Sequence, residues 1–349
     1  MATEPSIPAI DVSALFGGPG PERERTDGAI AEAAASVGFF VALGFPASLP
    51  VDRCSRTELL RLFQLPERET RPLWRQKFDP SHANVYRGWF PPQRGFLTSK
   101  EGIDLGPDVA YGPHAVQSGD PLREATPLPS EAALPGWRES TARYYRGMVE
   151  VSETLMRSIA RGLTLPETFF DAAFDHGLST LRLLRYPPRT DTEETAASDP
   201  NLWVRHRGRR YYVTGAPHVD SGFLTLLAQD GVEGLQARHR NGEWTDVPPA
   251  EGTLAVNFGK VLERWSAGRI KATEHRVIGA GLERMSVPFF YEARADAEIR
   301  PLPFDRGDAF EPFLYGDYLW ATTTQFVEFK GMESLRTPLR VAARLEPRH

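Results

Sequence analysis

Apolar and polar positions alternate with one period in the first half of the chain and another in the second. Near the start, "IPAIDVSAL" alternates every other residue, which predicts a short strand. "RERTDGAIAEAAASVG" then takes up Ala-rich helical spacing and stops at Gly38. "GFFVALGF" reads as a buried strand, and "PVDRCSRTELLRLFQLPERETRPL", with Leu59, Leu60 and Phe63 at helical spacing, as a second helix. Residues 80–135 are rich in Pro, Gly and aromatics, a composition that predicts ordered loops over a site rather than regular elements. The longest helical pattern is "PGWRESTARYYRGMVEVSETLMRSIARGLTL", with Tyr144, Met148, Val151, Leu155 and Ile159 on one face.

From about residue 178 short strand-like runs take over: "LSTLRLLRYPP", "TLLAQDG", "GLQARHRNGEWTDVPP", "GTLAVNFG", "ATEHRVIGAG" and "RMSVPFFYEA". Gly, Pro and Asn-Gly turns separate them, the pattern of an antiparallel sandwich or jelly roll, and "RHRNGEW" is the clearest hairpin. The tail "YGDYLWATTTQFVEFKGMESLR" could return to helix. No linker isolates the helical half, so helices packed on a β-core are expected. The expected division is a support region at 1–175, a core at 176–295 and an extension at 296–349, together one integrated unit. The segment between the strands at 178–187 and 211–218 is polar and then basic ("RHRGRR"). It reads either as a solvated loop with a hairpin turn or as a lid whose arginines meet an anionic substrate.

Composition narrows the function classes. The chain has 349 residues, 41% hydrophobic and 25% charged, with a net charge of −5, which favours neither a nucleic-acid nor a membrane-surface partner. A single cysteine, Cys54, excludes an internal disulfide and is expected as a small buried hydrophobe in a reducing compartment. The N-terminus lacks the basic and apolar regions of a signal peptide, and no run approaches the ~20 apolar residues of a membrane span. A cytoplasmic protein, monomeric or weakly self-associating, is the expectation.

Candidate chemistry concentrates in "GAPHVDSGFLTLLAQD". On a strand, residues i and i+2 share a face, so His218 and Asp220 can present an imidazole and a carboxylate to one point. His275, in the strand-like "KATEHRVIG", adds a second imidazole. Two histidines and a carboxylate form the facial triad of non-haem Fe(II) oxygenases, which leaves coordination positions open; such a set also occurs with zinc. Nine residues beyond His275, Arg284 and Ser286 in "RMS" share a face and offer a guanidinium fork and a hydroxyl, a pair suited to a carboxylate. An arginine among apolar neighbours is costly to bury without an anion to meet it.

These residues resemble the isopenicillin N synthase-like family of Fe(II)/2-oxoglutarate-dependent dioxygenases. "IPAIDVSAL", "GFFVALGF", "YRGWFP", "LRLLRYPP" and "GLQARHRNGEWTDVPPAEGTLAVNFG" are similar to family segments in the same order along nearly the whole chain. The resemblance implies a mainly β fold with flanking helices: a double-stranded β-helix (jelly-roll) core with N-terminal α/β support. It implies His218, Asp220 and His275 as iron ligands, and Arg284, Ser286 and Tyr186 around the distal carboxylate of 2-oxoglutarate. Phe290 is expected near co-substrate or substrate, and Arg87 and Phe90 are further substrate candidates. Two positions depart from the family pattern: Leu184 stands where an Asn is common, and Lys260 where "N-x-G-D" has its Asp. The loop at 188–215 is also longer than usual.

The implied activity, with Fe(II), 2-oxoglutarate and O2, is oxidation of an unactivated C–H bond of a small molecule with release of succinate and CO2. Hydroxylation is the default, and desaturation or cyclisation needs only another substrate pose. The competing readings are an iron oxidase of the same fold that does not use 2-oxoglutarate as ordinary co-substrate (isopenicillin N synthase-like or ethylene-forming) and a non-catalytic jelly-roll binding protein. The Ala/Arg/Pro-rich composition suggests secondary metabolism.

Overall fold

The computed structural model describes residues 6–92, 100–188, 202–302, 310–326 and 328–339. The N-terminal half of these supplies β1 (Ala9–Asp11), β2 (Phe39–Leu43), β3 (Gly88–Phe90) and β4 (Glu101–Leu105). The second half supplies β5 (Thr180–Tyr186), β6 (Trp203–His206), β7 (Arg209–His218), β8 (Leu224–Gln229) and β9 (Leu235–Arg238). It continues with β10 (Trp244–Asp246), β11 (Leu254–Phe258), β12 (His275–Gly279) and β13 (Arg284–Tyr291). Two short strands, β14 (Glu298–Ile299) and β15 (Phe313–Leu314), pair with each other ahead of the helix Tyr315–Thr323.

The strands form a major sheet in the order β1-β2-β11-β8-β13-β5-β4-β3 and a minor sheet in the order β10-β9-β12-β7-β6. Only the β1–β2 pair in these two sheets is parallel. The two sheets are the walls of the jelly roll expected from the sequence. The four N-terminal strands extend the same major sheet as β5, β8, β11 and β13.

Strand alternation explains why the central strands are apolar on both faces. On β13, Val287, Phe289 and Tyr291 join the main hydrophobic core, while Arg284, Ser286, Pro288 and Phe290 line a cavity between the sheets. Leu181 and Leu183 of β5, and Leu224, Leu226 and Ala228 of β8, turn to the same core. That core is closed by the helix Trp137–Gly162, which buries Tyr144, Met148, Val151, Leu155 and Ile159, the face read from the sequence. Tyr145 of this helix meets Phe289 edge-on at 5.1 Å and donates to the Ser179 carbonyl at 2.7 Å. Each such large apolar side chain contributes about 1.5–3 kcal/mol by leaving water, so the helix braces the outer face of the sheet that carries the cavity.

Several local expectations need correction. The stretch at 80–135 is not all loop: β3 and β4 pair with each other, and β4 pairs with β5. Their Pro/Gly-rich flanks masked a strand signal only three to five residues long. The first strand is shorter than "IPAIDVSAL", because Ser13–Phe16 turns into a 3-10 helix. The second helix stops at Leu60 and continues as separate short turns. Cys54 is exposed rather than buried, since Leu59 and Leu60, not the first turn, carry the apolar face of Arg53–Leu60. The tail does return to helix at Tyr315–Thr323, and "RHRNGEW" closes the β9–β10 hairpin. Among the described residues no helix is long and apolar enough to cross a membrane.

Candidate active site

Both histidines stand at adjoining strand ends. His218 is the last residue of β7, His275 the first of β12, and the two are direct cross-strand partners. Their rings lie 4.3 Å apart between centroids. Asp220 lies just past the end of β7, so strand alternation does not itself place it. It is held instead by Thr225 Oγ1 and Asn257 Nδ2, which donate to Oδ2 at 2.6 and 2.7 Å. The other oxygen, Oδ1, faces His218 Nε2 at 3.6 Å and His275 Nε2 at 3.7 Å, too long for hydrogen bonds. One potential ligand atom from each of the three residues falls within 4.8 Å of the others.

The imidazoles are preset for a cation. A carbonyl only accepts, so His218 Nδ1 donates to the Ala216 carbonyl at 2.8 Å and His275 Nδ1 to the Thr273 carbonyl at 3.1 Å. Each Nε2 therefore keeps its lone pair for the shared centre, the usual arrangement behind metal-bound histidines. His218 keeps 40% of its side-chain surface open, but that surface faces the cavity. Burial in the surrounding protein, with His275 beside it, lowers its pKa to about 4, so it is neutral at ordinary pH. Burial works to raise the Asp220 pKa, yet the two histidines and the Thr225 and Asn257 hydrogen bonds outweigh it and hold the carboxyl below its ordinary range. Two imidazoles with their Nε2 atoms turned to one centre, one carboxylate and a fixed outer shell fit a divalent transition metal.

Across the cavity, on the major sheet, Arg284 and Ser286 share the inward face of β13, and Arg284 is the direct partner of Tyr186 on β5. Arg284 is buried, and its guanidinium lies 5.5 Å from the centre of the Tyr186 ring. Nη2 donates to Gln229 Oε1 at 3.2 Å, while Nε and Nη1 have no partner among the described residues. Two orphaned donors on one buried cation are expensive unless an anion completes them. A carboxylate is the matching shape.

The cavity between triad and clamp measures about 430 Å³ and is walled by both sheets and the C-terminal segment. Tyr186, Phe290 and Leu184 line it. Leu184 adds an apolar patch where a polar contact is common in the resembling family. Arg87 and Phe90 do not line it. Arg87 is buried behind the wall, donating to Thr180 Oγ1 at 2.6 Å and the Leu178 carbonyl at 2.9 Å, and Phe90 packs against Leu184 and Tyr186. In the basic segment, Arg207 and Gly208 form the turn of the β6–β7 hairpin, and none of Arg205, Arg207, Arg209 and Arg210 lines the cavity. Residues 189–201 of the long loop lie outside the described residues. Lys260 opens the helix Lys260–Trp265, its N–H donating to the Asp220 carbonyl at 2.8 Å, so the position is tied to the triad through its backbone.

Sequence reasoning missed several residues that line the cavity or, like Gln229, touch its lining. Thr225 and Gln229 were available from the alternation of β8, and Asn257 from β11. Glu292, one residue past the end of β13 and two beyond Phe290, lines the cavity, accepts from Tyr315 Oη and is buried; burial, with Asp220 nearby, pushes its pKa well above the ordinary carboxyl value. Gly222 has no side chain because a Cβ there would stand 2.6 Å from Glu292 Oε2. Lys100 and Glu328 pair at 3.0 Å across the wall, a contact between distant segments that no local pattern announces.

Residues 178–293 match the model of the 2OG-Fe(II) oxygenase superfamily. Isopenicillin N synthase of Streptomyces clavuligerus is 29% identical over 320 residues, covering 90% of this chain and 93% of that protein. A 2-oxoglutarate-Fe(II) type oxidoreductase of Emericella nidulans is 29% identical over 310 residues, covering 85% and 82%. Among solved structures, a full-length Neurospora crassa protein in complex with alpha-KG and 5-formyluracil superposes with a TM-score of 0.75 at 26% identity, covering 92% of this chain and 96% of that one.

Proposed function

We propose that the chain, whose residues 178–293 match the 2OG-Fe(II) oxygenase superfamily, is a member of it, that His218, Asp220 and His275 are its iron ligands and that Arg284, Ser286 and Tyr186 receive the distal carboxylate of 2-oxoglutarate. The enzyme is a non-haem Fe(II)- and 2-oxoglutarate-dependent dioxygenase that oxidises a C–H bond of a small molecule and releases succinate and CO2. The single observation that carries the residue assignment is the pairing of a preset His-Asp-His cluster with a buried arginine whose Nε and Nη1 lack partners among the described residues.

When bound, Fe(II) supplies the redox chemistry that couples decarboxylation of 2-oxoglutarate to oxidation of the substrate. The protein's part is positional. Thr225 and Asn257 orient Asp220, and the Ala216 and Thr273 carbonyls fix both imidazole tautomers. Arg284 would hold one end of the co-substrate by charge-assisted hydrogen bonds while Ser286 adds a hydroxyl and Tyr186 backs the guanidinium. Phe290 and Leu184 would keep the space beside it dry, which protects a reactive centre from water. Hydroxylation is the simplest outcome of this geometry, with desaturation or cyclisation set by substrate pose. We place the protein in the cytoplasm, a reading supported by its lone cysteine, and take it as a monomer or weak homo-oligomer.

The test is succinate formation by Fe(II)-loaded protein given 2-oxoglutarate and O2. Slow uncoupled release is expected from the native enzyme and none from Asp220→Ala or Arg284→Met. Native enzyme that consumes O2 with a substrate yet forms no succinate would place it with the oxidases that resemble isopenicillin N synthase.

A further inference from the structure

The wall of the cavity away from the triad carries a buried charge cluster that the assignment above does not use. Lys100 Nζ lies 3.0 Å from Glu328 Oε1, and both residues line the cavity. Arg182, on the inward face of β5, donates Nε and Nη2 to the two oxygens of Asp104 at 2.5 and 2.8 Å. Arg75, fully buried behind them, also donates to Asp104, and its Nε and Nη1 have no partner among the described residues. Burial favours neutral carboxyls, but Arg182 and Arg75 hold the Asp104 pKa at about 2, and Lys100 and Arg182 do the same for Glu328. Both acids are therefore charged.

Among the described residues, three cations (Lys100, Arg182 and Arg75) share two carboxylates (Asp104 and Glu328) at ion-pair distance in this poorly solvated wall, and Arg87 adds further positive charge near Asp104. The rest of the site is balanced: with Fe(II), Asp220, Arg284 and doubly charged 2-oxoglutarate in place, its charges cancel. An uncompensated buried charge is costly, so the cavity is more stable with a monoanion bound. A phosphate group carries nearer two charges at neutral pH and fits less well than a carboxylate. Around the cluster, the Arg182 guanidinium lies 5.4 Å from the centre of the Phe290 ring, and Phe326 and Phe329 also line the cavity, a setting for an apolar body.

We propose that the substrate is a small organic monocarboxylate with an apolar body, its carboxylate held at the Lys100–Arg182 wall and its carbon skeleton laid against Phe290 and Phe326 towards the metal. This inference rests on the assignment of the triad and the Arg284 clamp under Proposed function. Lys100 and Arg182 are then specificity-determining residues, and Glu328 sets how much positive charge the wall presents.

The experiment is calorimetry on the full chain loaded with Mn(II), in two arms read separately. In the first, 2-oxoglutarate is titrated in; failure to bind contradicts the assignment of the co-substrate site. In the second, with 2-oxoglutarate saturating so that Arg284 is occupied, phenylacetate and 4-methylpentanoate are compared with their primary amides and with phenethylamine. At least one acid is expected to bind about tenfold tighter than its amide. Lys100→Met should erase most of that preference, and Glu328→Gln should strengthen acid binding. Amides binding as well as acids, the amine binding tighter, or an acid preference untouched by Lys100→Met would overturn the inference. The acid–amide comparison needs only the native protein and does not depend on how the variants fold.

Discussion

Asn257 Nδ2 donates to Asp220 Oδ2 over 2.7 Å, which leaves Oδ1 as the oxygen that faces both histidines. Asn257→Ala removes one of two anchors on Oδ2 and leaves Thr225 as the other. Mn(II) affinity measured by calorimetry should fall about 10–100-fold while the circular dichroism spectrum is kept. Unchanged affinity would mean that the carboxylate needs no such support.

Arg284 is buried and, among the described residues, its Nε and Nη1 find no partner; under the proposed assignment its charge serves a ligand more than the fold. Arg284→Met should weaken 2-oxoglutarate binding to the Mn(II) form by roughly thirtyfold or more and leave Mn(II) affinity alone. Without ligand, the variant's melting temperature should equal or exceed that of the native protein, because an orphaned buried cation has gone. A sharp loss of stability in the absence of ligand would instead mark Arg284 as a structural residue.

Asp104 is the opposite case. It accepts from the wholly buried Arg75 and from both sides of the Arg182 fork, whose side chain keeps 18% of its surface exposed. Asp104→Asn keeps the shape and removes the charge, stranding two guanidinium groups. Denaturant unfolding should show a loss of about 3–5 kcal/mol. A loss below about 1 kcal/mol would show that the pair is solvated in practice.

Burial pushes the Glu292 carboxyl well above its ordinary pKa of 4.5, with the Asp220 carboxylate adding to the shift. The folded protein therefore keeps a proton that the unfolded chain releases above that value. This group's contribution to stability is full below pH 4.5 and declines as the pH rises toward the folded-state pKa. Glu292→Gln carries a permanently neutral amide and escapes that decline. The variant should gain on the native protein in unfolding free energy between about pH 5 and about pH 8, and a gap that does not change with pH would contradict a protonated Glu292.

The jelly roll was legible because it depends on strand alternation, which a sequence displays directly, and the His218, Asp220 and His275 cluster because its members stand at or just past strand ends. Arg284, Ser286 and Phe290 do share one face of β13, as spacing of two requires. Asp220 was found by the same rule although the strand ends before it, and hydrogen bonds from β8 and β11 set its orientation instead. Arg87 and Phe90 were misplaced as cavity residues because an aromatic, arginine-containing loop looks alike whether it lines a cavity or packs behind its wall. The β3–β4 hairpin was too short to stand out from its flanks. The Lys100–Glu328 pair joins segments far apart in the chain, and the exposure of Cys54 depends on which side of a short helix meets the core. Tertiary packing decides all of these, and local pattern carries no record of it.

The most direct measurement is an anomalous difference map from crystals grown with Mn(II) and 2-oxoglutarate. The expected result is one metal peak shared by His218 Nε2, Asp220 Oδ1 and His275 Nε2, with the far carboxylate of 2-oxoglutarate on Arg284 and Ser286. A metal bound elsewhere, or a 2-oxoglutarate whose far carboxylate lies away from Arg284, would contradict it.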